Sequence, residues 1–504
     1  MKKFQFLRAI CFFILFNVVF SPDGAAQLKA GVAKANITII DERTTVNDSL
    51  FVKALVLSEG LTKLVIITVD AIVADEVRIS PDYLTNVRSR LEKDLKINPA
   101  NVMFNASHVH GAGYTVSPEI EQKTVQAVKR AWQNMVPVRV GAGKGYENRI
   151  TENRRLLLKS GGEWTIRQAN PLPPDSEVAG IGPVDTEIGI LRLDKKNGET
   201  LAVLYNFACH PYMGVPDKSS TADVPAFASK VIEDNLSQGT MAFFVQGCAG
   251  DITPVLYKSV SLPRNAEPLG TMLGLSTLNA LRGIKSSESK GLKIIHENIN
   301  LPRRTDISKD IESLTAEREE LLQSLRGTSL NMKTFIPLYV KYSLSPEFPS
   351  YYSHMYMHEK SIGRNDLQGL DEENRRNMDK YISNITAMEK LARIQENLSL
   401  LNTRLDEHNE AGGMPLKVEI QAIKIGEFVM VTFPGEVFAE VGLNIKKMSP
   451  FKNTFVAAYS NGAVGYAPTS RQYGAGGYED LNCRLAPEWQ KIYEDKVREL
   501  LGKL

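Results

Sequence analysis

The chain has 504 residues, with 60 basic and 58 acidic side chains and a formal net charge of +2. Such a balance argues against a nucleic-acid partner, which needs a basic surplus or stripe, and no run of like charges supports electrostatic membrane anchoring. A chain this long buries an ample core without disulfide staples, and its four cysteines include no Cys-x-x-Cys pair.

Residues 1–26 read as a secretory signal peptide. Lys2, Lys3 and Arg8 precede an apolar run over 9–20, and Gly24-Ala25-Ala26 offers small residues for cleavage. The run is too short to span a bilayer comfortably, and no later stretch approaches the ~20 apolar residues that a span requires. The pattern predicts export, to a periplasm or the medium, with no stable membrane anchor. Three cysteines remain, Cys209, Cys248 and Cys483, so at least one thiol stays free.

From Gly31 to about Pro302, short apolar runs alternate with segments of helical spacing. Strands are predicted over 51–57, 64–69, 102–106, 138–141, 188–193, 201–208 and 241–245. Helices are predicted over 80–95, 118–134, 224–236 and 270–284. Nearly continuous apolar strands between helices predict an α/β fold whose mixed, mostly parallel sheet is covered by helices on both faces. Ser107-His108-Val109-His110-Gly111 follows the third of these strands. Two histidines two apart at a strand end are expected to point to one side, and paired imidazoles suit a borderline-soft divalent metal, most often zinc. His210 ends another apolar run.

At Thr305 the composition changes. Apolar residues at Ile311, Leu314, Leu321 and Leu325, then a second series from Met378 to Leu405, predict an antiparallel helical hairpin inserted over about 305–413. A Tyr-, Pro- and Ser-rich connection, 335–364, joins its two helices. Strands resume at 416–425 and 428–433 and lead to Pro434-Gly435-Glu436. A helix over 437–447, a strand over 455–459, a Gly- and Tyr-rich loop over 461–478 and a helix over 487–501 follow. Residues 27–504 read as one catalytic domain. His108, His110, His210, Glu436 and the Gly-Tyr loop all fall at strand ends, where α/β sheets bind ligands. Asp70 and Asp223 are candidates for orienting the histidines.

Read in order, Gly31–Thr38, Ser107-His-Val-His-Gly111, Ala208-Cys-His-Pro211, Thr221-Ala-Asp-Val-Pro225, Gly250-Asp-Ile-Thr-Pro254, Pro434-Gly-Glu436 and Tyr466-Ala-Pro-Thr-Ser-Arg-Gln-Tyr473 resemble the neutral ceramidases. That family is zinc-dependent and hydrolyses the amide of ceramide. The resemblance spans about 30–300 and 415–480 and ends near Glu479; the family carries an immunoglobulin-like domain after this point, whereas about 25 residues follow Tyr478 here. It implies Zn2+ held by His108, His210, Glu436 and Tyr466, with His110 carrying a proton to the leaving amine. Tyr466 has a second possible role, hydrogen bonding to the oxyanion. Asn153-Arg154 resembles a family pair that points into the site, with Arg154 as a substrate contact. Thr253 stands where the family has an active-site serine and keeps its hydroxyl.

The expected activity is amide hydrolysis of ceramide or a related N-acyl lipid by zinc-bound hydroxide. The alternatives are hydrolysis of an N-acyl or O-acyl bond in a hydrophilic sugar or peptide derivative, and a non-catalytic binding protein. A ceramide site should be deep, narrow and apolar. Tyr351, Tyr352, Met355, Tyr356 and Met357 of the insertion are candidates for its walls. His354, His358, His296 and His408 read as surface or packing residues.

Overall fold

Apolar residues at successive positions of a strand bury both of its faces, and the run over 51–59 shows what they are buried against. In the computed structural model, which describes residues 27–39, 44–73, 79–166, 172–259, 261–288 and 291–504, this strand lies inside an eight-stranded sheet. The expected leader lies outside the described residues. The strand order is Met241–Gln246, Thr200–Phe207, Glu187–Lys195, Val136–Tyr146, Lys29–Asn36, Phe51–Glu59, Thr62–Val69, Val102–Ala106. Val52, Ala54 and Val56 face one way, into a core with Val87 and Leu91 of the helix Tyr83–Leu95 and Val125 and Val128 of the helix Ile120–Gln133. Leu55 and Leu57 face the other way, onto Ile423, Met430 and Phe455.

Those last three residues belong to a second sheet, ordered Leu292–Leu301, Leu416–Ile425, Phe428–Thr432, Asn453–Ala457. Helices Ala439–Met448 and Trp489–Lys503 pack on its outer side. The α/β class and the mixed sheet are as expected from the sequence, but two details differ. The second face of the large sheet is covered by another sheet rather than by helices. Five of its seven strand pairings are antiparallel, only the two outermost being parallel. Continuous apolar patterning reports that both faces are buried. It encodes neither strand direction nor the identity of the covering layer.

The insertion follows the expected antiparallel plan, with more helix than anticipated. Ile307–Ser324 packs along the 45-residue helix Asp366–Glu410. Arg326 N donates to Asn384 Oδ1 at 3.0 Å, and Arg303 Nε, at the other end of the pair, donates to the Met414 carbonyl at 2.8 Å. The segment between them, expected as a connection, contains two further helices, Met332–Leu344 and Ser353–Ser361. Pro337 inside the first obscures its periodicity and removes a helical donor. Asn331 and Thr334 form a capping box that starts it. Asp371 of the long helix ties the segment down by accepting hydrogen bonds from the hydroxyls of Tyr342, Ser350 and Tyr356. Among the described residues, no helix is long and apolar enough to cross a membrane.

Candidate metal centre

The strand Val102–Ala106 ends two residues before His108, so strand alternation is not what brings the two histidines together. His108 adopts a left-handed φ of 62°, a turn of the chain costing of order 1 kcal/mol, and His110 opens a short 3-10 helix, His110–Thr115. The turn directs both rings to one point, with centroids 4.9 Å apart. His210 follows the strand Thr200–Phe207, and its loop is tied to the first because His110 N donates to the Pro211 carbonyl at 3.1 Å. Gly111 is needed at this crossing: a Cβ there would lie 2.6 Å from the Thr221 carbonyl oxygen.

The nitrogens meet closely. His210 Nε2 is 3.2 Å from His108 Nε2 and 3.1 Å from His110 Nε2. Backbone carbonyls face the opposite nitrogens, Ile72 O at 2.9 Å from His108 Nδ1 and Ala249 O at 3.1 Å from His210 Nδ1. A carbonyl only accepts, so each Nδ1 carries the proton and each Nε2 presents a lone pair. Two lone pairs then face one another across 3.2 Å with no hydrogen between them, an arrangement that a cation satisfies. Burial, then the charges of His108 and Arg154, hold the His210 imidazole well below its ordinary pKa, so it is neutral as a metal ligand must be. The orienting groups are therefore carbonyls. Asp70 instead accepts from Phe51 N and Ser107 Oγ, and Asp223 from Gly214 N and Val224 N.

Glu436 arrives from a separate two-stranded element, in which Glu436–Val437 pairs parallel with Tyr466–Ala467 and Glu436 stands in register with Tyr466. Its Oε2 lies 3.5 Å from His108 Nε2 and 3.5 Å from the Tyr459 hydroxyl. The Tyr459 ring packs on His108, with centroids 3.9 Å apart. Gly250 lets this element approach: its N–H donates to Val437 O at 2.9 Å, and a Cβ would lie 2.3 Å from the Glu436 carbonyl oxygen. The sequence-predicted His108, His110, His210 and Glu436 thus converge.

Arg154 reaches the same place from below, fully occupied. Its Nε donates to Glu479 Oε1 at 2.7 Å, and one terminal nitrogen donates to Gly250 O at 2.8 Å and to the Tyr466 hydroxyl oxygen at 3.1 Å. Asn153, its neighbour in the motif, turns away to Asp251. Because Arg154 supplies a donor to the phenol oxygen, the Tyr466 O–H is left to donate elsewhere. Burial, then the charge of Glu436, push that phenol well above its ordinary pKa, keeping the proton in place.

Glu479, at the end of the motif series, has no role assigned by the sequence reading, and the structure makes it the partner of Arg154 and Arg155. It is wholly buried, and its second oxygen accepts from Arg155 at 2.7 Å and from Thr165 Oγ1 at 2.7 Å. Burial alone would raise its pKa. Arg154 and Arg155 outweigh that and hold it below the usual carboxylate range. The pair therefore stabilises the fold fully above the unfolded carboxyl pKa of about 4.3, and the contribution is lost as pH falls through the lower folded value. Glu479→Gln, which strands two buried guanidiniums, should cost about 3–5 kcal/mol in urea unfolding at pH 7, with the deficit shrinking in acid. An equal midpoint for variant and parent at pH 7 would refute the assignment.

Thr253 is buried, and its Oγ1 accepts from the Tyr212 hydroxyl at 2.5 Å. Tyr212, also not anticipated, packs edge-on to His210 with centroids 4.4 Å apart. Thr253→Ser keeps the acceptor and should be near neutral. Thr253→Val should lose about 1 kcal/mol of stability, and calorimetric unfolding of the two variants separates these outcomes. Cys209, Cys248 and Cys483 are all free and buried, and burial keeps their thiols protonated, so none is presented as a ligand. His354 and His358 are exposed on the insertion, remote from this cluster in the chain, and His296 lies 3.5 Å from Glu419.

A cavity of about 790 Å3 is lined by His110, His210, Arg154 and Tyr466, with Tyr212 and Tyr257 among its walls. Its other walls come from 213–221 and 257–264. No residue of 335–364 lines it, so the expected apolar wall from the insertion is not formed. Tyr351, Tyr352, Met355 and Met357 are exposed instead, and Tyr356 is held by Asp371. The lining is not the purely apolar one expected for two lipid chains, since Lys218, Ser219, Ser259 and Arg264 stand beside Met213, Val215 and Leu262.

No protein-family model and no curated protein matches this chain. Solved structures do match, among them a ceramidase complexed with C2 and the neutral ceramidase from Pseudomonas aeruginosa. Each is 16% identical with a TM-score of 0.58, over 94% of this chain and 75% and 74% of theirs respectively. The chain shares the fold of these ceramidases.

Proposed function

We propose that the protein is a zinc-dependent hydrolase of an N-acyl amide. The observation that carries this is the facing pair of Nε2 lone pairs on His108 and His210, with the Glu436 carboxylate beside them. Two neutral imidazoles and a carboxylate form a donor set that suits zinc and leaves room for water. His108, His210 and Glu436 would hold the ion, with Tyr466 either completing the set or serving the oxyanion. Bound there, zinc would supply an activated water, its pKa brought from 15.7 to about 7, and a Lewis acid for the acyl carbonyl.

The chain's own residues supply the rest. Tyr466, its oxygen engaged by Arg154, has its O–H available for the oxyanion that develops as water adds to the carbonyl. His110 is exposed, and the face it exposes lines the cavity. Its ring can take the proton from the attacking water and hand it to the amine as the C–N bond breaks. The leader-like residues 1–26 support export of the enzyme.

Shared fold with two ceramidases makes ceramide the first substrate to test, and the polar, basic walls of the cavity favour a second, an N-acyl compound with a hydrophilic head. Zinc-loaded protein incubated with ceramide and with N-acyl amino acids, read by mass spectrometry of the released fatty acid, tests the proposal. No stoichiometric zinc and no acid from any N-acyl substrate would overturn it.

A further inference from the structure

Elsewhere in the protein, several buried or half-buried cations are paired with carboxylates. Arg304 meets Asp306, Lys446 meets Asp185 and Arg88 meets Glu419. The cavity breaks this pattern. Among the described residues that line it there is no aspartate or glutamate, yet Arg154, Lys218 and Arg264 all contribute. Arg154 is answered by Glu479 from behind. Arg264, half-buried, and Lys218, exposed at the cavity mouth, have no carboxylate partner among the described residues.

Both of those cations are placed by structure around them. The Arg264 guanidinium lies 4.6 Å over the Tyr257 ring. Tyr257 packs edge-on to Tyr212 at 4.3 Å, and Tyr212 to His210 at 4.4 Å. A row of three rings therefore fixes the guanidinium a set distance from the metal centre, and the Tyr257 face holds the cation without neutralising it. Lys218 sits in a left-handed turn, φ 61°, closed by its N–H donating to Val215 O at 3.0 Å. The turn sends Lys218 to the cavity, while Asp217 is outside its lining and accepts from Ser219 N. A lysine in a conformation that disfavours side chains, with its neighbouring acid turned away, is the kind of local strain that marks a binding role.

We propose that the substrate is an N-acyl compound bearing an anionic group, a carboxylate, sulfonate or phosphate, which Arg264 and Lys218 bind in the cavity at the end of this row of rings. The proposal rests on the reading of the site as an N-acyl hydrolase and names the class of substrate that site takes. Met213, Val215 and Leu262 leave apolar wall for an acyl chain, so the ligand is a single-headed amphiphile rather than a neutral two-chain lipid. A planar guanidinium favours oxyanions through paired N–H donors, and a flexible ammonium adds a point charge.

The test compares N-dodecanoylglycine with its neutral isostere N-dodecanoylglycinamide on the zinc-loaded enzyme. The wild type should favour the acid by about tenfold or more in KM, the worth of one charge-assisted contact. Arg264→Gln should raise KM for the acid by a similar factor and bring the acid-to-amide ratio near one. Lys218→Gln should act in the same direction, and Arg264→Lys should restore part of the ratio. Equal KM for the two compounds in the wild type, or a rise of both alike in Arg264→Gln, would overturn the proposal while leaving amide hydrolysis standing. If neither compound releases dodecanoic acid, the hydrolase reading is judged separately on ceramide and the other N-acyl substrates, and calorimetric Kd values decide the anion site. A tenfold preference for the acid that Arg264→Gln abolishes supports it, and equal affinities refute it.

Discussion

His210→Ala is expected to remove both bound zinc and measurable turnover. His210 is 2% exposed and lies between the other two imidazoles, with its Nε2 within 3.2 Å of each and its Nδ1 fixed by the Ala249 carbonyl. Deleting the ring takes away the donor at the centre of the cluster and leaves only His108, Glu436 and the peripheral His110, while Cys209 and Cys248 are buried protonated thiols. The loss should exceed the 10- to 100-fold in affinity that follows when a residue merely orienting a ligand is removed. Zinc content by mass spectrometry of the purified variant, beside fatty-acid release from the best substrate, reads both effects. Stoichiometric zinc in His210→Ala would sink the metal centre as described. His108→Ala and Glu436→Ala extend the test, because their donors lie 3.5 Å apart and should fail together.

How much of this was legible in the sequence depended on the kind of signal. Apolar runs marked most strands of both main sheets to within a few residues, but Lys29–Asn36 and Leu292–Leu301 were not among them, and Val136–Tyr146 far exceeds the expected 138–141. Val102–Ala106 and Leu416–Ile425 match their expected limits, the first as a short run buried at every position and the second because apolar and polar residues alternate along it. The short strands Arg155–Leu158, Glu163–Thr165 and Val178–Ile181 gave no such signal, being part-exposed and of mixed polarity. Strand direction was invisible for a different reason. A run buried on both sides looks the same in either direction, and the mostly antiparallel sheet emerged only from the pairing.

At the site, residues inside motifs were found and isolated ones were not. His108, His110, His210 and Glu436 stood in recognisable strings. Glu479 stands beside Asp480 at the start of the short helix Tyr478–Leu481, and nothing local foretold that Arg154 and Arg155 would both reach it. Tyr459 packs against the His108 ring from another loop, a contact that depends on tertiary placement alone, whereas Tyr212 packs on His210 from two residues along the same loop. The His-x-His motif itself was read correctly for a partly wrong reason, since a left-handed turn at His108, not strand alternation, brings the rings together.

That turn matters for dividing the work between the two histidines. His108 is 1% exposed with its Nδ1 committed to a carbonyl, so its one remaining nitrogen faces the cluster. His110 has no backbone acceptor among its described side-chain contacts, is exposed, and lines the cavity where a leaving amine would sit. A ligand must keep its lone pair on the metal, whereas a proton carrier must gain and lose a proton within each turnover. We therefore propose the second task for His110. His110→Ala should retain most of the zinc yet lower kcat by roughly 10²–10⁴-fold, the usual worth of a positioned acid–base group. The loss should be smallest for substrates whose leaving group needs no proton, so an N-acyl amide should suffer more than the matching ester of an acidic phenol. Zinc lost in step with activity would make His110 a third ligand, and equal losses for amide and phenyl ester would remove it from proton transfer.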